Sequence, residues 1–260
     1  MKLNIVPARN GMVWAKLGIK TFFRQPLAMA GLFFMFMAIL AVVSRLPVVG
    51  LALAMALLPA ATLGLMAASR EADGGKFPMP TMLLVAFRSG GAKARAILLL
   101  GALYAGGFLL VLGIASLFDG GSFAKMYLGG ESPSAERMMT ADFQGAMWTF
   151  AVLHLPLSFM FWHAPALVHW HDVPPVKSLF FSVMACFRNF WAYALFGVVW
   201  LAVLFGVVVT VSLVAGMLGS PDVAANALFP ALMLMAAMFF TSLYFTFRDT
   251  FDPPQQGETP

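Results

Sequence analysis

Phe161-Trp162-His163-Ala164-Pro165-Ala166-Leu167-Val168-His169-Trp170-His171-Asp172-Val173-Pro174-Pro175, continuing through Val176-Lys177-Ser178-Leu179-Phe180-Phe181 to Cys186-Phe187-Arg188-Asn189, is the stretch that decides the fold. It holds the end of one apolar span, a prolyl break, an amphipathic segment and an Arg-Asn corner that opens the next span. The same order of events recurs, more loosely, elsewhere in the chain.

Working outward, the composition asks for lipid as the solvent. The chain is 61% hydrophobic and 10% charged, against roughly 25% charged in an ordinary soluble domain. A helix needs about 20 mostly apolar residues to cross a hydrocarbon core of ~30 Å. Six stretches reach that length, at about 26–43, 48–68, 96–118, 144–168, 190–218 and 225–247. The short alternating segments of a membrane β-barrel do not occur. The expected fold class is therefore all-α membrane, one six-helix transmembrane domain over 1–250 with a disordered cytoplasmic tail at 251–260. The basic segment ahead of Leu27 carries no small-residue cleavage site, so the first span is expected to be retained. Cys186, the one cysteine, excludes an internal disulfide and reads as a small buried apolar side chain.

Lysine and arginine set the orientation. Thirteen fall on one side (Lys2, Arg9, Lys16, Lys20, Arg24, Arg70, Lys76, Arg88, Lys93, Arg95, Lys177, Arg188 and Arg248), and only Arg45, Lys125 and Arg137 on the other. Positive residues stay inside, so both termini are expected in the cytoplasm. The net charge of +5 then reflects anionic lipid and topology, not a nucleic-acid partner.

Ahead of the first span, Asn10 is an expected helix cap. Lys16, Lys20 and Arg24 recur every four residues on one helical face, with Trp14, Leu17, Phe22 and Phe23 around it. That pattern suits a helix lying along the inner leaflet, or a docking surface for a partner protein. In the second span Ala52, Ala56, Ala60, Gly64 and Ala68 form a stripe of small side chains, for packing inside the bundle or for a homodimer seam. Gly74-Gly75 reads as a helix stop. The outer loop at 119–143 sets Asp119, Glu131, Glu136 and Asp142 against Lys125 and Arg137, and its length calls for short helices or a lid.

Three Phe-Arg pairs, Phe23-Arg24, Phe87-Arg88 and Phe187-Arg188, each precede an odd-numbered span. Prolines fall within the even-numbered spans at Pro59 and Pro230. In the fourth span Pro156 matches Pro59 in depth and Pro165 matches it by local sequence. After each even span an acid is followed by proline: Asp73 and Pro78, Asp172 and Pro174, Asp252 and Pro253. The reading is three pseudo-repeated helical hairpins, each preceded by a short interfacial amphipathic helix. Lys16, Lys20, Arg24, Arg88, Lys177 and Arg188 become candidate contacts to lipid headgroups. Pro59, Pro156, Pro165 and Pro230, with His163, mark candidate helix breaks and a candidate cavity.

The spans hold no Asp, Glu, Lys or Arg, which speaks against an ion-coupled carrier. His154 and His163 are nine residues apart, about 900° along a helix, and so point to opposite sides. Met160 and His163 share a face that suits a soft metal such as copper, yet the methionines form no repeated array, and no metal, haem or other cofactor is expected. No nucleophile-base-acid set or nucleotide loop stands out, so no enzyme activity is expected. Two main readings remain, binding or scaffolding through lipid or a partner protein and small-molecule or lipid transport through proline-broken helices, with a His/Met copper or haem site as a minor third.

Ile19-Lys20-Thr21-Phe22-Phe23-Arg24-Gln25-Pro26, Leu58-Pro59-Ala60-Ala61-Thr62-Leu63-Gly64, Phe161 to Val168 and Val176 to Asn189 resemble an uncharacterised betaproteobacterial family of multi-pass inner-membrane proteins. The likeness extends over residues 1 to about 250, with a looser similarity of layout to other six-span bacterial membrane domains such as the YciC-like proteins. It implies inner-membrane residence and six spans. It assigns no chemistry and no substrate.

Overall fold

The computed structural model describes residues 2–130, 132–219 and 221–252. Its helices, in chain order, are α1 (Asn10–Arg24), α2 (Pro26–Ser44), α3 (Gly50–Asp73), a 3-10 turn (Pro80–Leu84), α4 (Val85–Arg88), α5 (Gly91–Asp119), α6 (Ser122–Leu128), α7 (Ala135–Met138), α8 (Ala141–Trp162), α9 (Ala164–His171), α10 (Pro175–Arg188), α11 (Phe190–Met217) and α12 (Pro221–Thr250). Among the described residues six segments are long and apolar enough to cross a membrane: α2, α3, α5, α8 with α9, α11, and Asn226–Thr250 of α12. The fold is all-α and of the membrane type. Most helices run past the ends of the apolar stretches, because backbone hydrogen bonding continues into polar flanks where hydropathy has already fallen.

The chain divides into two compact units, the first being Met1–Met35, Thr62–Val85 and Met184–Pro260. Here α1 lies against α11 and α12, and close approach is possible because Gly11 and Gly18 lack side chains. A Cβ on Gly11 would run into the Ala192 carbonyl and the Phe196 amide; one on Gly18 would run into Ser242. Between these two contacts the Trp14 indole is fully buried, its ring 5.2 Å from Tyr193 and 6.2 Å from Phe196. Phe22 is buried as well, and only Phe23 of the expected lipid-facing aromatics stays exposed. The Trp14 side of α1 thus packs on the chain, while Met12, Val13 and Phe23 stay exposed beside Lys16 and Lys20. Asn10 is no cap, since it lies within the helix and donates its backbone N–H to Pro7 at 2.9 Å.

The termini of this unit are clasped. Leu3 forms a single antiparallel bridge with Phe251, and Asn4 donates its backbone N–H to Thr250 at 2.9 Å. Asn189, at the corner between α10 and α11, accepts the Val6 N–H through Oδ1 at 2.8 Å and donates Nδ2 to the Asn4 carbonyl at 3.0 Å. Phe251 and Asp252, assigned to the tail by composition, are therefore held; residues 253–260 of that tail lie outside the described residues, as do Glu131 and Ser220.

The second unit is Phe36–Ala61 with Ala86–Val183. Its centre is α5 against α8, sealed at one end by interlocking rings of Phe108, Phe123, Tyr127, Phe143 and Phe150. The outer loop contains α6 and α7. Gly120 and Gly121 both take positive φ, 64° and 88°, a reversal that L side chains resist. The buried Asp119 carboxylate accepts the Gly121 and Phe123 backbone N–H groups at 3.0 and 2.5 Å. Arg137 fastens the loop by donating to the Asp119 carbonyl at 3.2 Å and to Ser122 Oγ at 2.7 Å.

The small-residue stripe of α3 is used inside the chain. In the second unit Gly101 sits directly on the Ala56 backbone; in the first, Gly64 sits under Met82 and Leu83, and Ala68 is buried.

Candidate functional site

Each Phe-Arg pair ends one segment and precedes the next span. At the first, Gln25 interrupts the helix between α1 and α2; at the third, Asn189 separates α10 from α11. The second fills the expected half-helix at 81–87, as a 3-10 turn over Pro80–Leu84 continued directly by α4. Pro78 and Pro80 bound it on one side and Ser89-Gly90 on the other. All three phenylalanines are turned outward, Phe23 at 64%, Phe87 at 39% and Phe187 at 63% relative exposure. Arg24, Arg88 and Arg188 are exposed beside them, as are Lys16, Lys20 and Lys177. An apolar ring next to a solvated cation suits the boundary between hydrocarbon and headgroups.

Three polar contacts link residues far apart in the sequence. Arg24 reaches Asp73 at 3.2 Å, Lys93 reaches Asp172 at 2.8 Å, and Tyr193 Oη lies 3.3 Å from Thr250 Oγ1. Lys93 and Tyr193 each stand five residues after their arginines, Arg88 and Arg188.

Asp73 has a second partner that sequence reasoning missed. Arg248 lies 3.3 Å from its other oxygen, so one carboxylate sits between two guanidinium groups. Arg248 is in turn oriented: its Nε donates to Asp249 at 2.9 Å and its guanidinium lies 4.9 Å over the Phe245 ring. Asp249 accepts the Trp14 indole N–H at 2.9 Å. Composition could not reveal this node, because Asp73 and Arg248 are 175 residues apart. The signal within reach was Trp14, the one indole among the apolar residues of α1, whose N–H needs an acceptor once buried.

The expected prolyl breaks behave differently from one another. The α-helix runs on through Pro59 in α3, Pro156 in α8 and Pro230 in α12, so the breaks expected there are corrected to prolines inside continuous helices. A proline costs one donor and bends the axis, and neighbouring turns hold the rest. At Pro165 the fourth span does divide, into α8 and α9, with His163 between them. An unbroken helix would carry a bond from the His163 N–H to the Phe159 carbonyl. Ser182 enters that gap: its Oγ accepts from His163 N at 2.9 Å and donates to Phe159 O at 2.7 Å. His163 and Pro165 are buried in the second unit. An open apolar groove of about 440 Å³ belongs instead to the first unit, lined by Val203, Gly206, Val207, Thr210, Val211 and Ala231.

His154 stacks on Phe150 with ring centroids 5.2 Å apart, and Tyr104 and Phe108 meet it edge-on. Among the described residues no three His, Cys, Asp or Glu side chains converge as metal ligands. Cys186, on α10, is buried, and burial pushes its thiol up to about 12.

Comparison with known proteins finds this chain 38% identical over 260 residues to a probable inner membrane protein of Burkholderia thailandensis, an alignment covering 99% of this chain and 96% of that protein. No family profile matches the chain. No solved structure matches it.

Proposed function

The chain belongs to the family of the probable inner membrane protein of Burkholderia thailandensis, and from that premise we propose that it is a non-catalytic inner-membrane protein that engages the anionic cytoplasmic leaflet through its three elbows. Both termini lie in the cytoplasm in this reading, and the transmembrane domain is three copies of one elbow-plus-hairpin unit.

The observation that carries it is the shared outward presentation of Phe23 with Arg24, Phe87 with Arg88, and Phe187 with Arg188. A basic residue near an anionic leaflet gains about 1 kcal/mol, and Lys16, Lys20 and Lys177 add to the same field. The three-copy arrangement is supported by contacts of matching register. Six residues before Arg24, Arg88 and Arg188 stand Gly18, Met82 and Ser182. Each lies against an even-numbered span, Gly18 at Ser242, Met82 at Gly64 and Ser182 at His163. The division at Pro165 is the feature a transporter would exploit, and there Ser182 bridges the two helices. That favours binding over translocation.

The test is reconstitution into nanodiscs of phosphatidylglycerol or of phosphatidylcholine. The protein should unfold at a higher temperature in the anionic bilayer, and the gap should narrow in the triple variant Arg88→Gln, Lys177→Gln, Arg188→Gln. Equal unfolding temperatures for the unaltered protein in the two lipids would overturn the reading.

A further inference from the structure

We infer that Arg24 and Arg248, held apart by Asp73, form a clamp for one phosphate group of an anionic lipid; this rests on the leaflet-binding reading above and assigns it a specific site. Each guanidinium approaches a different oxygen of Asp73, at 3.2 and 3.3 Å. Those distances are longer than the 2.7–2.9 Å usual for paired charges. One carboxylate therefore serves two forks and satisfies neither fully.

The donors left over are specific. Arg24 uses one terminal nitrogen on both the Asp73 carbonyl, at 2.8 Å, and the carboxylate. Arg248 uses Nε on Asp249 and one terminal nitrogen on Asp73. Among the described residues the second terminal nitrogen of each has no protein acceptor. Phosphate offers the oxygens that two guanidinium forks can share, a geometry a single ammonium cannot match. Both arginines and Asp73 are only partly covered, so an incoming anion can reach them.

The clamp is built in advance. Phe245 lies under Arg248, Asp249 holds its Nε, and the Trp14 indole holds Asp249. Little side-chain freedom remains to be lost at Arg248 on binding. The neighbouring surface tells a lipid from a soluble phosphate. Phe23 and, three residues beyond Arg24, Leu27 at 89% relative exposure give acyl chains a place beside the headgroup. Asp73 then acts as an internal stand-in for the phosphate, to be displaced or shared when lipid arrives.

The decisive experiment measures native mass spectra of the detergent-purified full chain titrated with short-chain phosphatidylglycerol, phosphatidylcholine or inorganic phosphate. One tightly retained phosphatidylglycerol is expected, with retention reduced about tenfold by Arg24→Gln or Arg248→Gln. Arg24→Lys should rescue it only in part. Asp73→Asn, which removes the internal competitor, should retain phosphatidylglycerol several-fold more strongly. Competition by inorganic phosphate as effective as by the lipid would reassign the clamp to a soluble phosphate and overturn the lipid assignment. A clamp that merely locks the helices would lower the unfolding temperature in all four variants and leave retention unmoved, which would overturn the proposal. If the nanodisc temperature gap of the unaltered protein persists while Arg24→Gln retains lipid normally, the clamp falls and the general leaflet reading survives.

Discussion

Ser182 takes the place of one backbone hydrogen bond for His163, standing between its amide and the Phe159 carbonyl at 2.9 and 2.7 Å. Division of the fourth span therefore exposes no backbone group at that point, because a single hydroxyl from α10 serves both. Side-chain insertion into the helical ladder is a recognised cause of a kink, and here it joins the third elbow to the span beside it.

Ser182→Ala should cost about 1–3 kcal/mol, the range for leaving buried polar groups unmade. The loss should be read by reversible unfolding in mixed detergent. An unchanged stability would mean that His163 and Phe159 re-form the direct bond, and that the hydroxyl was an accessory. Lys93→Ala offers a milder contrast: its partner Asp172 is exposed, such pairs contribute about 0–1 kcal/mol, and Lys93 also donates to the His169 carbonyl at 2.8 Å.

Gly18→Ala should destabilise the protein by about 1–3 kcal/mol, since the added carbon overlaps Ser242, backbone included. Gly31→Ala is the control, because nothing lies within 4 Å of the position its Cβ would take. Unfolding temperatures of the two variants, side by side, decide the point. Equal effects would place α1 away from α12.

Cys186 should resist maleimide in the folded protein at pH 8 and react at once in denaturant. Burial raises its thiol from 9.0 to about 12, so the reactive thiolate is scarce in the native state. The folded state holds the proton more tightly than the unfolded one. The stabilisation it provides is complete below pH 9 and is lost as pH rises towards 12. Cys186→Ser should flatten that alkaline decline. An unchanged pH profile would assign the decline to other groups.

Orientation is checked by single cysteines in a Cys186→Ser background. Lys125→Cys should react with an impermeant maleimide on intact spheroplasts, and Lys177→Cys only after the membrane is opened. Labelling of both from outside would remove the cytoplasmic-elbow reading.

The spans and their order were legible because a run of about 20 apolar residues leaves a membrane chain few options. Helix ends were less so, as α5 begins at Gly91 and carries Lys93 and Arg95 that hydropathy assigned to the connector. The packing of α1 on the chain was not legible either, because an amphipathic helix offers the same face to lipid as to protein. What separates the two outcomes is Gly11 and Gly18 on the Trp14 side, a notch that composition does not weigh. Prolines were read as breaks, yet only Pro165 sits at one, since a helix divides where another group can serve the freed backbone. The Asp73 node lay beyond reach for a simpler reason: Arg24 and Arg248 stand at opposite ends of the chain.

The clasp at Asn189 also dictates an order of manufacture. Asn4 and Val6 leave the ribosome first but find their partner only after 189 residues have been made, and Gly18 must wait longer for Ser242. Until then Trp14 lacks the Tyr193 and Phe196 rings that it packs against. The leading helix is thus the last to be seated, and a chain released before its sixth span would present that unseated helix to cellular quality control.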